Sequence, residues 1–414
     1  MKSISVIIIV LLCVIDQANG QSNSNEKTIG KSIVFKSQIL DKEREIQVFL
    51  PTNYDDNKKK YPVLYVMDGQ RYFLNGIAFQ QNLTWQEIVP DFIIIGIVTD
   101  VKKRRNLFYS ESSKFIQFLE KELIPKIDKD YRTINERIYF GWEMAAGLGF
   151  EILADLPSLF KGYLLSSPTH ISNERLEKVN RLLTSKFKQD MMVYASLGAV
   201  ETWTIEPMAY LDSLFQEHTL ENVRWKYNLS DNENHYTTPL TTINEGLKSF
   251  FSDYGPLRFY SLQEFRDFGG IEALKSHYKN RGDRYQVSTD IHSDTKHYLL
   301  LQSHKEDNFK IFDELVKEFA GEIFIENYYR QARWFVRYSI FYLDNNRWKD
   351  AVEILRLGLE KFPNTSVLQN EMGNCFKKNG ELNKAKEWYK EAIATAKKNG
   401  ESGLSEYLKN LESL

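Results

Sequence analysis

Apolar residues recur with two periods along the first part of the chain, and the two patterns alternate up to about residue 253. Some runs are short and either alternating or continuously apolar, as strands at the outside or the inside of a sheet are. These predicted strands are REIQVFLP, YPVLYVMDG, DFIIIGIV, RIYFG, KGYLLSSP, DMMVYASLG and VRWKYNLS. Stretches between them, such as SSKFIQFLEKELIPKIDKDY and MAAGLGFEILADL, have helical spacing or small side chains. This alternation predicts an α/β fold with one mostly parallel sheet covered by helices on both faces.

The pattern changes after about residue 256. Residues 257–325 contain short amphipathic pieces interrupted by glycines, which predicts a connector with some helix. Residues 326–414 carry helical periodicity alone. We therefore expect an α/β domain over 28–256, a helical connector over 257–325 and an all-α tail over 326–414.

Two segments of the tail repeat at a spacing of 34 residues. Small or aromatic side chains recur at matching places: Ser339 and Gly373, Tyr342 and Phe376, Ala351 and Ala385, Gly358 and Ala392. Such small positions let paired helices approach closely, as in the tetratricopeptide repeat. An ordinary pair of helical hairpins is the alternative. The final SGLSEYLKNLESL is predicted to form a cap helix, because stacked repeats need a polar end.

Composition and charge argue against some classes of binding partner. Charged residues are 27% and hydrophobic residues 42% of the chain, which is ordinary for a globular protein. The formal net charge of −2 gives no strong attraction to nucleic acid or anionic lipid, so we expect no nucleic-acid partner and no membrane span. The histidines are scattered and no G-x-x-x-x-G-K-[ST] loop occurs, so we expect no metal site and no cofactor.

The first residues, MKSISVIIIVLLCVIDQANGQS, have the features of a removable export signal. Lys2 precedes an apolar run that is too short to cross a bilayer, and small residues lie before the expected cleavage point. We expect a signal peptide over residues 1–20 and a periplasmic or extracellular mature protein. Cleavage would remove Cys13 and leave the thiol of Cys375, so no internal disulfide is expected.

The segment RIYFGWEMAAG places a glutamate where many hydrolases carry their nucleophile. A strand, a tight turn and a helix are predicted there, and the small residues Gly141 and Ala145 flank Glu143 two positions away on either side. This is the frame of the G-x-S-x-G nucleophile elbow, in which bulky neighbours would collide. The serine is absent from the frame, and no other G-x-S-x-G occurs in the chain.

An acid and a histidine follow the later predicted strands. Glu201 comes after DMMVYASLG, and His235 comes after VRWKYNLS. The order elbow, acid, histidine is that of α/β-hydrolase triads, and open sheets place their sites beyond the carboxyl ends of the strands. We expect Glu201 to orient His235 as a general base, with Asp231 and Glu233 as alternative acids. The alternatives are a surface role for Glu201 and a structural loop role for His235.

These segments resemble the α/β-hydrolase esterase family that includes esterase D and the enterochelin esterases. The resemblance is carried by YPVLYVMDGQRYF, ELIPKIDKDYRT, FGWEMAAG, LFKGYLLSSPT and ENHYTTPLTTINEGLKSFF, which together cover most of residues 32–253. It implies a doubly wound, mostly parallel α/β-hydrolase sheet, followed in this chain by the all-α repeat tail. It also implies that a small ester or a siderophore-like compound is the ligand.

The resemblance further implies roles for individual residues. Glu143 aligns with the serine nucleophile, Glu201 with the acid and His235 with the histidine of the family. The backbone N–H groups of Met144 and Gln70 align with its oxyanion donors. The chain departs from the family at Glu143 and in the stretch KRRN (103–106), where a final aspartate is usual.

The functional hypotheses differ in the role that they give to Glu143. Glu143 has no hydroxyl, and its carboxylate at a helix N-terminus can pair with protonated His235 and fill the oxyanion hole. We therefore expect a pseudoenzyme of the esterase family that binds a ligand, or a protein partner through its repeats. The alternative is an active carboxyl-ester hydrolase that uses Glu143 as carboxylate nucleophile, or as a base, together with His235. A third hypothesis is a scaffold domain whose repeats carry the whole function.

Overall fold

The computed structural model describes residues 29–185, 188–218 and 220–414. The predicted signal peptide lies outside the described residues and stays a prediction. The α/β part contains the strands β1 (Lys31–Ser37), β2 (Lys42–Phe49), β3 (Tyr61–Met67), β4 (Ile93–Ile97), β5 (Thr133–Trp142), β6 (Gly162–Ser166), β7 (Met191–Gly198) and β8 (Val223–Ser230). Its helices are α1 (Gly69–Trp85), α2 (Ser112–Phe118), α3 (Ile124–Asp130), α4 (Met144–Asp155), α5 (Asn173–Leu183), α6 (Thr202–Glu217) and α7 (Thr238–Phe250).

The eight strands form one sheet in the order β1-β2-β4-β3-β5-β6-β7-β8. The pairs β1–β2 and β2–β4 are antiparallel, and the pairs from β4 to β8 are parallel. The predicted mostly parallel sheet is therefore confirmed. Its two faces are packed separately, since β3 alternates Val63 and Tyr65 into one apolar core and Leu64 and Val66 into the other. Helices cover both faces, which leaves the carboxyl ends of the parallel strands as the open edge for a site.

Ten further helices follow the sheet. They are α8 (Leu262–Asp267), α9 (Gly270–Tyr285), α10 (Ser293–Lys305), α11 (Phe309–Glu318), α12 (Gly321–Tyr328), α13 (Ala332–Asp344), α14 (Trp348–Lys361), α15 (Ser366–Lys378), α16 (Leu382–Asn399) and α17 (Leu404–Glu412). The segment that the sequence predicted as a connector is thus regularly helical. Side chains on both sides of residue 325, such as Phe312 and Tyr338, share one apolar core. No separate core begins at residue 326.

The helical region is held against the sheet at the end opposite the carboxyl ends of the parallel strands. Arg284 on α9 donates to Glu136, near the start of β5, at 2.8 Å and to Asp253 at 3.1 Å. The hydroxyl of Tyr285 donates to Asp253 at 2.6 Å, and its ring packs into one of the sheet's apolar cores. Arg284 is 17% exposed and Glu136 is 4% exposed, so these contacts are largely withdrawn from water.

The helices α13 to α16 form two hairpins whose corresponding helices start 34 residues apart. A methyl group on Gly373 would lie 2.4 Å from the ring of Tyr389, so the absence of a side chain is what lets α15 and α16 approach. Assignment of the hairpins to the tetratricopeptide class stays a prediction. Of the helices that the structure describes, none has both the length and the apolar character needed to cross a bilayer.

Candidate active site

Glu143 lies at the bend between β5 and α4, with backbone angles φ 58° and ψ −119°. A positive φ is uncommon for a residue with a side chain and is found where the surrounding structure enforces it. Here the N–H of Glu143 donates to the carbonyl of Ser166 at 3.0 Å, and its carbonyl accepts from the N–H of Thr169 at 3.1 Å. A methyl group on Gly141 would lie 2.6 Å from the carbonyl of Ala145. The chain therefore makes a strained strand-to-helix bend with a carboxylate at its tip.

The carboxylate of Glu143 pairs with Arg104. Nη1 of Arg104 donates to Oε2 of Glu143, while Nε and Nη2 donate to the two carboxylate oxygens of Asp68 at 3.0 and 2.8 Å. The side chain of Arg104 is 6% exposed, Asp68 is fully buried and Glu143 is 22% exposed. Burial alone would lower the pKa of Arg104, but its bonds to Asp68 and Glu143 outweigh burial and raise it. Arg104 is thus a permanent cation between two carboxylates.

Glu201 and His235 come together at the carboxyl ends of β7 and β8. Nδ1 of His235 lies 2.6 Å from Oε2 of Glu201, whose other oxygen accepts from Ser167 Oγ at 2.7 Å and from the N–H of Gly198 at 2.9 Å. Burial of Glu201 would raise its pKa, but these three hydrogen bonds prevail and lower it. An ionised Glu201 keeps the proton of a neutral imidazole on Nδ1 and the lone pair on Nε2, which is the tautomer of a general base.

Aromatic rings surround the imidazole. The ring of Trp142 lies 4.9 Å from that of His235 and the ring of Trp203 lies 5.9 Å away. Nε1 of Trp142 also donates to the backbone carbonyl of His235 at 2.7 Å. The residue before Glu143 therefore fixes the loop that carries the histidine.

The structure places the residues predicted from the sequence as follows. Glu201 contacts His235, whereas Glu233, one of the alternative acids, accepts a hydrogen bond from Thr241. The expected pairing of Glu143 with His235 is not present: among the described residues, no hydrogen bond joins the two side chains. The reason is that Arg104 offers Glu143 a permanent charge, while Glu201 already holds the imidazole.

The two predicted oxyanion donors begin helices. Met144 is the first residue of α4 and Gln70 the second of α1, where backbone N–H groups lack partners within the helix. The side chain of Gln70 exchanges two 2.9 Å hydrogen bonds with the backbone of Thr99, which ties α1 to the loop after β4. The oxyanion role of both N–H groups stays a prediction.

Sequence reasoning missed Arg104 and Asp68. Arg104 belongs to the KRRN stretch that the sequence analysis treated only as a departure from the family, and Asp68 belongs to the turn before Gln70. One signal could have pointed to a partner: a glutamate placed at a buried bend needs a counter-charge. Four consecutive cations, Lys102, Lys103, Arg104 and Arg105, offered it without showing which one points inward.

A cavity of about 350 Å³ opens beside the bend and is lined by Tyr109, Thr169, His170, Ile171, Ser172, Trp203, Thr204 and Pro207. Nη1 of Arg105 lies 3.2 Å from Nε2 of His170, and its guanidinium lies over the ring of Tyr109 at 5.6 Å. Burial and the charge of Arg105 lower the pKa of His170, so this imidazole is neutral near pH 7. On the other side of the bend the guanidinium of Arg71 lies over Trp142 at 5.2 Å.

Among the described residues, no cluster of three or more His, Cys, Asp or Glu side chains is arranged to hold a metal ion. The polar side chains of this site have other partners instead. His235 contacts Glu201, Glu143 pairs with Arg104, and His170 lies next to Arg105. What the arrangement offers chemically is one imidazole oriented by Glu201 and, at the bend, a carboxylate whose charge is balanced by Arg104.

Comparison with known proteins agrees with this geometry. The family model described as Putative esterase matches residues 37–239. The uncharacterized protein YjcH of Bacillus subtilis (strain 168) is 32% identical over 177 residues, which cover 41% of this chain and 72% of that protein.

Two solved structures share the fold. An IroE-like serine hydrolase from Shewanella oneidensis superposes with a TM-score of 0.54 at 19% identity, over 69% of this chain and 97% of that chain. An uncharacterised protein from Capnocytophaga ochracea superposes with a TM-score of 0.56 at 15% identity, over 88% of this chain and 93% of that chain. A match over 88% of this chain extends into the helical region as well as the sheet.

Proposed function

Because the chain belongs to the α/β-hydrolase esterase family, we propose that it keeps the family's cleft for binding a ligand while its hydrolytic activity is lost or strongly reduced. The observation that carries this proposal is the ion pair between Glu143 and Arg104 at the position of the nucleophile. A triad serine attacks because a histidine removes its proton, and glutamate has no hydroxyl to deprotonate. Removal of a triad serine typically lowers kcat about a millionfold.

The paired state of Glu143 argues against its use as a nucleophile or base. Nη1 of Arg104 donates to Oε2 of Glu143, and this bond withdraws electron density from the carboxylate. An attack through Oε2 would have to break this bond and leave Arg104 with Asp68 alone, and an attack through Oε1 would use a carboxylate whose charge the guanidinium already balances. His235, the partner in the alternative mechanism, is oriented by Glu201 and makes no hydrogen bond with Glu143 among the described residues.

Charge and aromatic rings favour an anionic, partly aromatic ligand for the cleft. Arg71 and Arg105 are exposed at its two sides, and each guanidinium lies over an aromatic ring. The side chains of Trp203 and Tyr236 beside His235 are 62% and 74% exposed, so they offer ring faces to a ligand. A siderophore-like compound or a small aromatic ester has this chemistry.

Two further parts of the proposal rest on the sequence. The predicted signal over residues 1–20 supports export to a periplasm or to the outside of the cell. The repeated hairpins support a tetratricopeptide-like surface for a protein partner, since such repeats present concave binding faces.

The test compares ester hydrolysis by four proteins that all lack residues 1–20. Wild type, Glu143→Ser, Glu143→Ala and the double variant Glu143→Ser/His235→Ala are offered nitrophenyl acetate. We expect the wild type and Glu143→Ala to be inactive, Glu143→Ser to gain turnover, and the double variant to lose that gain. Glu143→Ala is the matched control, because it also releases Arg104 but supplies no hydroxyl.

Two outcomes would contradict the proposal. Wild-type turnover that disappears in His235→Ala would show that the natural site is a working hydrolase. Turnover by Glu143→Ala equal to that by Glu143→Ser would show that water activated by His235, rather than a nucleophile at residue 143, does the chemistry.

A further inference from the structure

A second cavity, of about 560 Å³, lies at the free edge of the sheet beside β8. Its apolar lining lies on both faces of the sheet: Met192 belongs to the core on the α7 face, whereas the rings of Phe215 and Trp225 stack on the α6 face with their centroids 4.1 Å apart. Met192 and Phe215 are buried, and the partly exposed Leu220, Val223 and Trp225 form the apolar surface that the cavity presents. β8 is the last strand of the sheet, and its outer edge pairs with no other described strand.

Cations and hydroxyl groups form the other side of this cavity. Nη1 of Arg224 donates to the carbonyl of Ser249 at 3.0 Å and to Oγ of Ser252 at 3.2 Å, and Nζ of Lys226 donates to Oγ of Ser249 at 3.2 Å. His218 lines the cavity as well. These bonds hold both cations toward α7 and leave each with N–H groups to donate elsewhere.

Carboxylates are absent from the lining. Among the described residues that surround the cavity there is no aspartate or glutamate, and neither Arg224 nor Lys226 forms an ion pair with another described side chain. Asp212, on the same helix as Phe215, accepts hydrogen bonds from Trp225 at 2.7 Å and from Gln216 at 2.8 Å instead. The two cations therefore carry positive charge that this part of the chain does not neutralise.

The cavity is distinct from the cleft at Glu143. It lies where β7 and β8 begin, whereas Glu201 and His235 follow the ends of these same strands. The lining on β8 ends at Lys226, four residues before the strand ends at Ser230, which leaves about 13 Å of strand between the cavity and that end.

We propose that this cavity binds an amphipathic anion, a molecule with one carboxylate or phosphate head and an alkyl body. The head would accept charge-assisted hydrogen bonds from Arg224 and Lys226, while the alkyl body passes the outer edge of β8 and covers the partly exposed Leu220, Val223 and Trp225. Cations on an edge strand can also serve to prevent strand pairing. The exposed Lys226 suits that role, whereas Arg224 is partly buried and is bonded to Ser249 on α7.

The test measures binding of three probes to the full mature chain by calorimetry, below their micelle concentrations: dodecanoate, dodecyl phosphate and uncharged dodecanol. We expect saturable binding of one equivalent of at least one of the two anions, and weaker binding of dodecanol. The tighter of the two anions identifies the head group. Arg224→Gln and Lys226→Gln should each weaken binding of that anion about tenfold, because each removes a hydrogen bond to a charged group.

Lys349→Gln, on the exposed surface of α14, is the matched control and should bind as the wild type does. Lys226 is exposed, so its substitution tests the site without a threat to the fold. Equal affinity for dodecanol and the anions, unchanged affinity in both cavity variants, or no saturable binding of either anion would each overturn the proposal. None of these outcomes bears on the cleft at Glu143, whose assay uses other residues and another substrate.

Discussion

Arg104 donates to Glu143 across 39 positions of the chain, and the same guanidinium holds Asp68 across 36 positions. The strand-to-helix bend between β5 and α4 therefore presents one half of an ion pair. A planar guanidinium suits this place, since it can donate to two carboxylates at once and keeps its charge when buried. The backbone of Glu143 has a strained, positive φ of 58°, and its side chain carries no hydroxyl.

Arg104→Gln should lower the free energy of unfolding by about 3–5 kcal/mol, because it leaves Asp68 buried without its counter-charge. Urea denaturation at neutral pH measures the change. Arg105→Gln is the matched control: Arg105 is exposed, so we expect a change below about 0.5 kcal/mol. Equal effects of the two variants would show that the buried pair does not stabilise the bend.

Gly141→Ala should destabilise the protein by about 3 kcal/mol. The added methyl group would lie 2.6 Å from the backbone of Ala145, which cannot retreat without displacing α4. Gly76, which lies within α1, provides the contrast. The methyl group of Gly76→Ala would lie 3.6 Å from Ile94 and from Leu64, which is an ordinary van der Waals contact. There we expect a gain of roughly 0.5–1 kcal/mol from helix propensity. Thermal unfolding of both variants measures these changes in stability. A Gly141→Ala variant as stable as the wild type would mean that the bend is not tightly constrained.

The sheet, the bend and the acid–histidine pair could be predicted from local patterns. Buried strands are continuous apolar runs, and Gly141 and Ala145 mark a tight turn whatever residue stands between them. Glu201 and His235 could be named because each follows a predicted strand at the same edge of the sheet.

The pairing of Glu143 with Arg104 could not be predicted, because it depends on how the loop after β4 folds back over the bend. That loop contains a 3₁₀ turn, Val101–Lys103, and a π turn, Asn106–Ser110. Between these irregular turns Arg104 is buried, whereas Arg105 is exposed. Such turns leave no periodic pattern in the sequence.

Glu201 should make stability depend on pH below neutrality. Its pKa in the folded protein lies below the ordinary value of 4.5, since bonds from His235, Ser167 and Gly198 outweigh burial. The folded state therefore binds this proton less readily than the unfolded chain does. The resulting stabilisation is complete above about pH 5 and is lost as the pH falls through the folded pKa.

Urea denaturation of the wild type and Glu201→Gln between pH 7 and pH 3 measures this contribution. The wild type should lose stability relative to the variant as the pH falls, so that the difference between the two narrows. Glu233→Gln is a matched control, because Glu233 lies in the same loop as His235 but bonds only to Thr241 among the described side chains. A difference between wild type and Glu201→Gln that stays constant over this range would contradict the assignment of a lowered pKa to Glu201.

Truncation should show that the helices after the sheet form one unit. A chain ending at residue 325 would retain Phe312 and Leu315 but lose their partners on α13, such as Tyr338 and Phe341. The rings of Phe312 and Tyr338 lie 5.2 Å apart, and that contact would be replaced by water. We expect this chain to bind a hydrophobic dye and to unfold without a cooperative transition in its helical part.

A chain ending at residue 403 is the matched control. It loses only α17, whose Tyr407 packs with Ala392, Ile393 and Ala396 in a small separate cluster, so the large core stays covered. We expect a cooperative transition with a modest loss of stability, measured by circular dichroism during heating. Were the chain ending at 325 to unfold as cooperatively as the one ending at 403, and without dye binding, the helices α8 to α11 would form a core of their own. Loss of the proposed partner binding in the shorter chain would then be attributable to the helices that this chain lacks.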